Sequence, residues 1–242
     1  MKIDKNLEEQ TFIQTNTDSD EDKFKTFIET NNHSTSDANF NLINRDYTII
    51  IDISRSMATT DYPQGTTRWV AAQKYTLALA KKCEQLDPDG ITVYMFAEKF
   101  QRYDFVTSSK VKQIFEENNP QGGANLLTVL QDAINSYFQR KANNKTKPSG
   151  ETILVVTDGV SCNRIGISQA IIDASQRIDN QQELIISFIQ VGYEPHISKA
   201  IKSWDDELQG NGAKFDIVNS VTLDDMEKMT FTQVFINAFI DK

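Results

Sequence analysis

Tyr47 to Met57 reads YTIIIDISRSM. Its first six residues are a short apolar run rich in β-branched side chains, without the polar alternation of a strand wet on one face. Such a run suits a parallel strand covered on both sides. Working outward, Arg68 to Leu86 carries Trp69, Ala72, Tyr75, Leu79 and Cys83 at three- and four-residue steps, a helical stripe. Asp87-Pro88-Asp89-Gly90 is a turn, followed by a strand at Ile91–Phe96. Phe100–Val106 is read as a third strand, antiparallel to the second. Ser108–Glu117 is helical, with Pro120 as a stop. Gly122-Gly123 precedes a helix from Asn125 to about Arg140. Lys141 to Gly150 is a polar loop, and Thr152–Asp158 (TILVVTD) is the next buried strand. Helices follow at 167–178, 197–208 and 231–240, and strands at 184–191 and 214–218. This alternation predicts an α/β fold: a doubly wound, mainly parallel sheet with one antiparallel edge strand and helices on both faces.

The chain has 242 residues, 39% of them hydrophobic and 24% charged, with a net charge of −9. That is enough chain for a large core, and the sign of the charge disfavours general binding to nucleic acid or an anionic membrane. Two cysteines, Cys83 and Cys162, do not make a disulfide framework. There is no apolar span and no apolar stretch near the start, so a cytoplasmic protein is expected. Residues 1–44 hold nine acids, four bases and seven asparagines. They are read as a separate acidic, Asn-rich segment, with the fold proper over 45–242. Within the segment, Phe24, Phe27 and Ile28 recur at helical spacing, so two readings stand: a short helix over 20–30 docked on the main body, or a solvated tail.

Ligand sites in open α/β sheets form beyond the carboxyl ends of the strands, where the winding reverses. Two strands here end in acidic, loop-forming text. The first supplies Asp52, Ser54 and Ser56, and the second supplies Asp158 and Gly159. Two carboxylates on neighbouring strand ends repel unless a cation or proton compensates. Two carboxylates with two hydroxyls make a hard, all-oxygen set that suits Mg²⁺ or Mn²⁺ and leaves room for water.

Asp52-Ile53-Ser54-Arg55-Ser56-Met57 matches the D-x-S-x-S pattern of the von Willebrand factor type A domain. Gly122-Gly123-Ala124-Asn125 resembles that family's second loop, and Thr157-Asp158-Gly159 resembles its third. The three fall in family order on a matching alternation of elements, over roughly residues 45–240. The resemblance implies a metal-ion-dependent adhesion site at the top of the sheet. Ser54 and Ser56 would ligate the metal directly, Asp52 and Asp158 largely through waters, and an acidic group of a partner protein would fill an open position. It also implies an interaction module rather than an enzyme. One departure matters: the family's second loop offers a threonine hydroxyl, and Ala124 stands there without an oxygen. Thr128, one helical turn on, is not placed to substitute.

The expected function is therefore metal-dependent capture of an acidic group on a protein partner. The alternative is a metal-free scaffold of the same fold with a degenerate site. An aspartyl-nucleophile phosphohydrolase is disfavoured, because Ser54 occupies the position where that chemistry needs an acid/base carboxylate. Asp61 is read as turn chemistry or as charge behind the site, Trp69 and Cys83 as core, and Cys162 as a passive thiol near the rim. Arg68-Trp69 resembles a pair found in some bacterial members of the family. His33 and His196 lack metal-ligand spacing.

Overall fold

The computed structural model describes residues 42–159 and 163–228. The strands are β1 (Asp46–Asp52), β2 (Ile91–Phe96), β3 (Phe100–Val106), β4 (Glu151–Thr157), β5 (Leu184–Gln190) and β6 (Val218–Thr222). The helices are α1 (Arg68–Leu86), α2 (Ser108–Glu117), α3 (Leu126–Ala142), α4 (Arg164–Arg177), α5 (Pro195–Glu207) and α6 (Leu223–Lys228). The strands form one sheet in the order β3-β2-β1-β4-β5-β6. Every pairing is parallel except β2 with β3.

The apolar text of β1 follows from this placement. Ile49 and Ile51 belong to a core shared with α1, α2 and α6, and Ile50 to a second core on the opposite face, shared with α3, α4 and α5. All three are fully buried. With roughly 1.5–3 kcal/mol from each fully buried aliphatic side chain, the central strands anchor both layers. Trp69 and Cys83 are core residues, as expected, and Trp69 packs on Phe115 with ring centroids 4.7 Å apart. Among the described residues no helix is long and apolar enough to cross a membrane.

The last strand differs from expectation. The sequence suggests 214–218, whereas β6 is Val218–Thr222. Residues ahead of it are tied down as a turn: Lys214 donates its N–H to Ser175 Oγ and its ammonium to the Ile178 carbonyl, and Asp216 accepts from the Val218 N–H. Pairing with β5 begins only at Val218. The helices read at 20–30 and 231–240 lie outside the described residues, as does Cys162.

From β1 the chain adds β2 and β3 on one side, then returns to place β4 on the other. The winding therefore reverses between β1 and β4, and their carboxyl ends open the crevice where such folds place a site. The opposite end of these strands is closed by a buried polar network. Arg45 donates to Thr152 Oγ1 and to the Glu151 carbonyl, each at 2.7 Å. Thr48 and Arg140 donate to the Glu151 carboxylate.

Gly150 makes the entry into β4. Its φ is +82°, and a Cβ there would overlap the carbonyl oxygen of Glu183. Gly150→Ala should cost about 2–5 kcal/mol, from left-handed backbone strain plus overpacking. Gly210→Ala meets only ordinary contact with the Glu207 carbonyl and should stay within about 0.5 kcal/mol. Urea denaturation of the two variants checks the contrast.

Candidate metal centre

The β1–β4 register pairs Ile51 with Val156. Asp52 therefore lies beside Thr157, with Asp158 one residue beyond. After Asp52 the backbone enters a 3₁₀ turn at Arg55–Ala58, held by Met57 N–H to the Ser54 carbonyl and Thr59 N–H to the Ser56 carbonyl. Met57 is fully buried and anchors the turn. The turn leaves Ser54 and Ser56 beside the strand ends, with their hydroxyl oxygens 3.0 Å apart. Ser56 Oγ donates to Asp158 Oδ1 at 2.9 Å.

Asp52 is wholly buried. Its Oδ1 accepts from the Ser54 N–H at 2.7 Å, and its Oδ2 accepts from Thr157 Oγ1 at 2.6 Å. Both donors are neutral. Burial pushes the Asp52 carboxyl up to about 6, against the downward pull of those bonds and with a further push from Asp158. Asp158 is also raised by burial, opposed by its bonds to Ser56 and Arg68.

Arg68 is the site residue that the motifs did not reveal. As the first residue of α1 it sits at the positive end of a helix dipole, where a cation is disfavoured. That mismatch is the signal the sequence did carry. The guanidinium is compensated by three carboxylates: Nη1 donates to Asp158 Oδ2 at 3.0 Å, Nε and Nη2 to Asp61 Oδ2 at 2.9 and 2.6 Å, and Nη2 to Glu194 Oε1 at 3.1 Å. Burial alone would lower its proton affinity, but these hydrogen bonds raise it on balance. Asp61 is thus charge behind the site rather than turn chemistry alone. Glu194 gave no signal, because it reaches the site only through tertiary packing, and Thr157 was legible as part of Thr157-Asp158-Gly159 but not as a donor to Asp52.

The loop with Gly122-Gly123-Ala124 is stitched to the first loop. Arg55 N–H donates to the Gly122 carbonyl and Gln121 N–H to the Ile53 carbonyl. Ala124 packs against the second core and brings no oxygen. Thr128 is exposed, and its N–H is capped by Asn125 Oδ1. Among the described residues no three His, Cys, Asp or Glu gather as a metal cluster, so a cation here would rest on two carboxylates, hydroxyls and water.

The donor set fits such a cation. Neighbouring oxygens on an octahedral Mg²⁺, with bonds of about 2.1 Å, stand about 3 Å apart. The spacings Ser54 Oγ–Ser56 Oγ and Ser56 Oγ–Asp158 Oδ1, 3.0 and 2.9 Å, match that edge.

Residues 47–160 match the family model of the von Willebrand factor type A domain. No curated protein matches the chain. Among solved structures, a point mutant of the PilB minor pilin from Streptococcus sanguinis superposes with a TM-score of 0.57 at 11% identity, covering 86% of this chain and 65% of the pilin. The chain thus spans just under two thirds of the pilin's length, and the likeness bears on the fold alone. Proximal thread matrix protein 1 from the mussel byssus aligns at 12% identity with a TM-score of 0.43, over 80% of this chain and 46% of that one.

The buried Asp52 carboxylate has a thermodynamic signature. Its proton affinity is higher folded, at about 6, than at its ordinary value of 3.8. Its contribution therefore favours the folded state at low pH and is lost as pH rises from about 4 to about 6. In chelator, Asp52→Asn keeps one acceptor oxygen for the Ser54 N–H and can turn its amide N–H to Thr157 Oγ1, whose own proton then goes to the Gly159 carbonyl, and it escapes that loss. Relative to the parent it should gain roughly 2 kcal/mol between pH 4 and pH 7, read from paired urea melts. A difference that is flat with pH would show that Asp52 is not held as a strained anion.

Proposed function

We propose, from the premise that residues 47–160 form a von Willebrand factor type A domain, that this chain binds a protein partner through a divalent cation at the ends of β1 and β4. Domains of this kind are interaction modules. The cation-dependent mode is the finer reading, and one observation carries it: Asp52 is the buried carboxylate without a cation. Four carboxylates in the described residues are buried: Asp52, Asp87, Glu151 and Asp158. Asp87 is paired with Lys147, Glu151 with Arg140 and Asp158 with Arg68. Asp52 has no such pair among the described residues, and it lies beside three oxygens spaced for a small hard cation. An unpaired buried anion is costly enough that proteins normally pair, coordinate or neutralise it.

Ser54, Ser56 and Asp158 would hold Mg²⁺ or Mn²⁺, with Asp52 beneath them. When bound, the ion offers a Lewis-acidic position to an acidic side chain of the partner. The residues of the chain do the rest. Thr157 and the Ser54 N–H fix the Asp52 carboxylate, and the buried Met57 holds the two serines in place. The same fixation speaks against Asp52 as a nucleophile, since both of its oxygens are engaged and none of it is exposed.

A metal-free scaffold is the second reading, and Ala124 favours it by withholding an oxygen. Thermal melts with added Mg²⁺ or Mn²⁺ separate the two. A ligand that binds only the folded state, at a hundred times its Kd, adds about 2.7 kcal/mol. The parent should melt higher in millimolar metal, and Ser56→Ala should lose most of the response. Ala124→Thr supplies a hydroxyl and should respond at lower metal concentration, by up to roughly 10- to 150-fold. Absence of any response in parent and Ala124→Thr alike would favour the metal-free scaffold.

A further inference from the structure

Arg68 joins three segments distant in sequence. It meets Asp61 in the loop after β1, Asp158 after β4 and Glu194 ahead of α5. The Asp158 carboxylate is divided between two partners: Oδ2 takes Arg68 Nη1 and Oδ1 takes Ser56 Oγ. Arg68 gives Asp158 a single hydrogen bond, while Asp61 Oδ2 takes Nε and Nη2 and Glu194 takes Nη2, so the rigid guanidinium is held from two sides and fixes the direction from which Nη1 meets Asp158 Oδ2, as a lysine ammonium could not. The third segment is shaped around the guanidinium. Gly192 has a φ of +84°, and a Cβ there would lie 2.7 Å from Arg68 Nε and 2.8 Å from Cζ. Its N–H donates to Tyr62 Oη at 2.8 Å, which returns the loop to the β1 side. The rings of Tyr62 and Tyr193 stand 5.5 Å apart, and Tyr193 is half exposed.

We infer that Arg68 is a positioning residue that turns Asp158 Oδ1 toward the serine pair and ties the 191–194 loop to the same carboxylate. A disturbance at Gly192 or Glu194 is then felt at the strand-end oxygens, although neither residue touches them. For its metal readout this inference rests on the cation-binding reading. Its second readout does not.

Three variants test it: Arg68→Lys, which keeps the charge and loses the fork; Gly192→Ala, which intrudes on the guanidinium; and Glu194→Gln, a milder change at a partly exposed side chain that leaves the core untouched. Two quantities are measured on the full chain. One is the Mn²⁺ concentration at half-maximal thermal shift. The other is backbone amide hydrogen exchange at 54–57 and 191–194 in chelator. Residues that orient metal ligands typically change metal affinity 10- to 100-fold. Arg68→Lys and Gly192→Ala should therefore raise the half-saturating Mn²⁺ about 10-fold or more, and Glu194→Gln should move it less in the same direction. All three should speed exchange in both segments.

A merely structural role would lower the melting temperature and leave half-saturation unchanged, which overturns the inference. Tighter Mn²⁺ binding in Arg68→Lys also overturns it, since Arg68 would then be competing with the ion for Asp158. Should Arg68→Lys fail to fold, Glu194→Gln decides by the same two readouts. If the parent itself ignores Mn²⁺, the cation-binding reading fails and hydrogen exchange decides alone. Faster exchange in both segments supports the positioning role, and a change confined to 191–194, or none, overturns it.

Discussion

A carboxylate at the end of a strand covered on both faces has no water to solvate it, and the top of this sheet is organised around that constraint. Asp52 must end β1 there, because Tyr47, Ile49, Ile50 and Ile51 before it are committed to the two cores. Its charge is met by hydrogen bonds from the next turn and the next strand rather than by solvent. Those bonds explain the tight return of the chain after Asp52, the hydroxyl at Thr157, and a register that sets Asp52 beside it. Moving β4 by one residue would turn the Thr157 side chain to the other face of the sheet and leave Asp52 with one donor fewer.

The two ends of the central strands answer the same problem differently. At the amino end, Glu151 is as buried as Asp52, yet Arg140 is on its carboxylate and Arg45 lies nearby. Burial pushes the Arg45 guanidinium down to about 10, still protonated at neutral pH. That end is closed, with opposite charges facing each other. At the carboxyl end one cation, Arg68, faces Asp61, Asp158 and Glu194, while Asp52 stands behind with none. Ion pairs at both ends carry desolvation costs that offset much of their attraction, so neither end is a stability device in itself. The difference lies in what is left uncompensated.

Much of the fold was legible because its signals are local. The apolar runs of β1 and β4 can only be strands covered on both faces, and the stripes of α1 and α3 fix their buried sides. The antiparallel β3 was read from its place directly after β2, and the neighbouring positions of Asp52 and Asp158 from the strand–helix alternation and the three loops in family order. The start of β6 was not legible, because Lys214 and Asp216 are diverted by hydrogen bonds to α4 and to their own turn. In the site, Asp52, Ser54, Ser56 and Asp158 came from spacing after strand ends. Glu194 did not, and neither did the bond from Thr157 to Asp52, since these arise only when β1, β4 and β5 stand side by side. Arg68 lies between these cases: a cation at the first position of a helix announces a compensating acid without saying which one.

Ala124 bears on the same balance. A threonine there would add a neutral oxygen, which improves coordination but leaves the charge as it is. The charge already assembled does not depend on that position. Among the described residues, Asp52, Asp61, Asp158 and Glu194 lie around the buried guanidinium of Arg68, with Asp52 the deepest of them and the one without an ion pair. On the proposed reading, losing one neutral ligand would lower the affinity for a cation by about the worth of a single charge-assisted contact, some 1.5–3 kcal/mol, less whatever a water in its place restores. Losing Asp52 or Asp158 removes the reason for a cation to enter at all. On the proposed reading, the departure at Ala124 would therefore change the strength of the site, while the arrangement of Asp52, Ser54, Ser56 and Asp158 would define it.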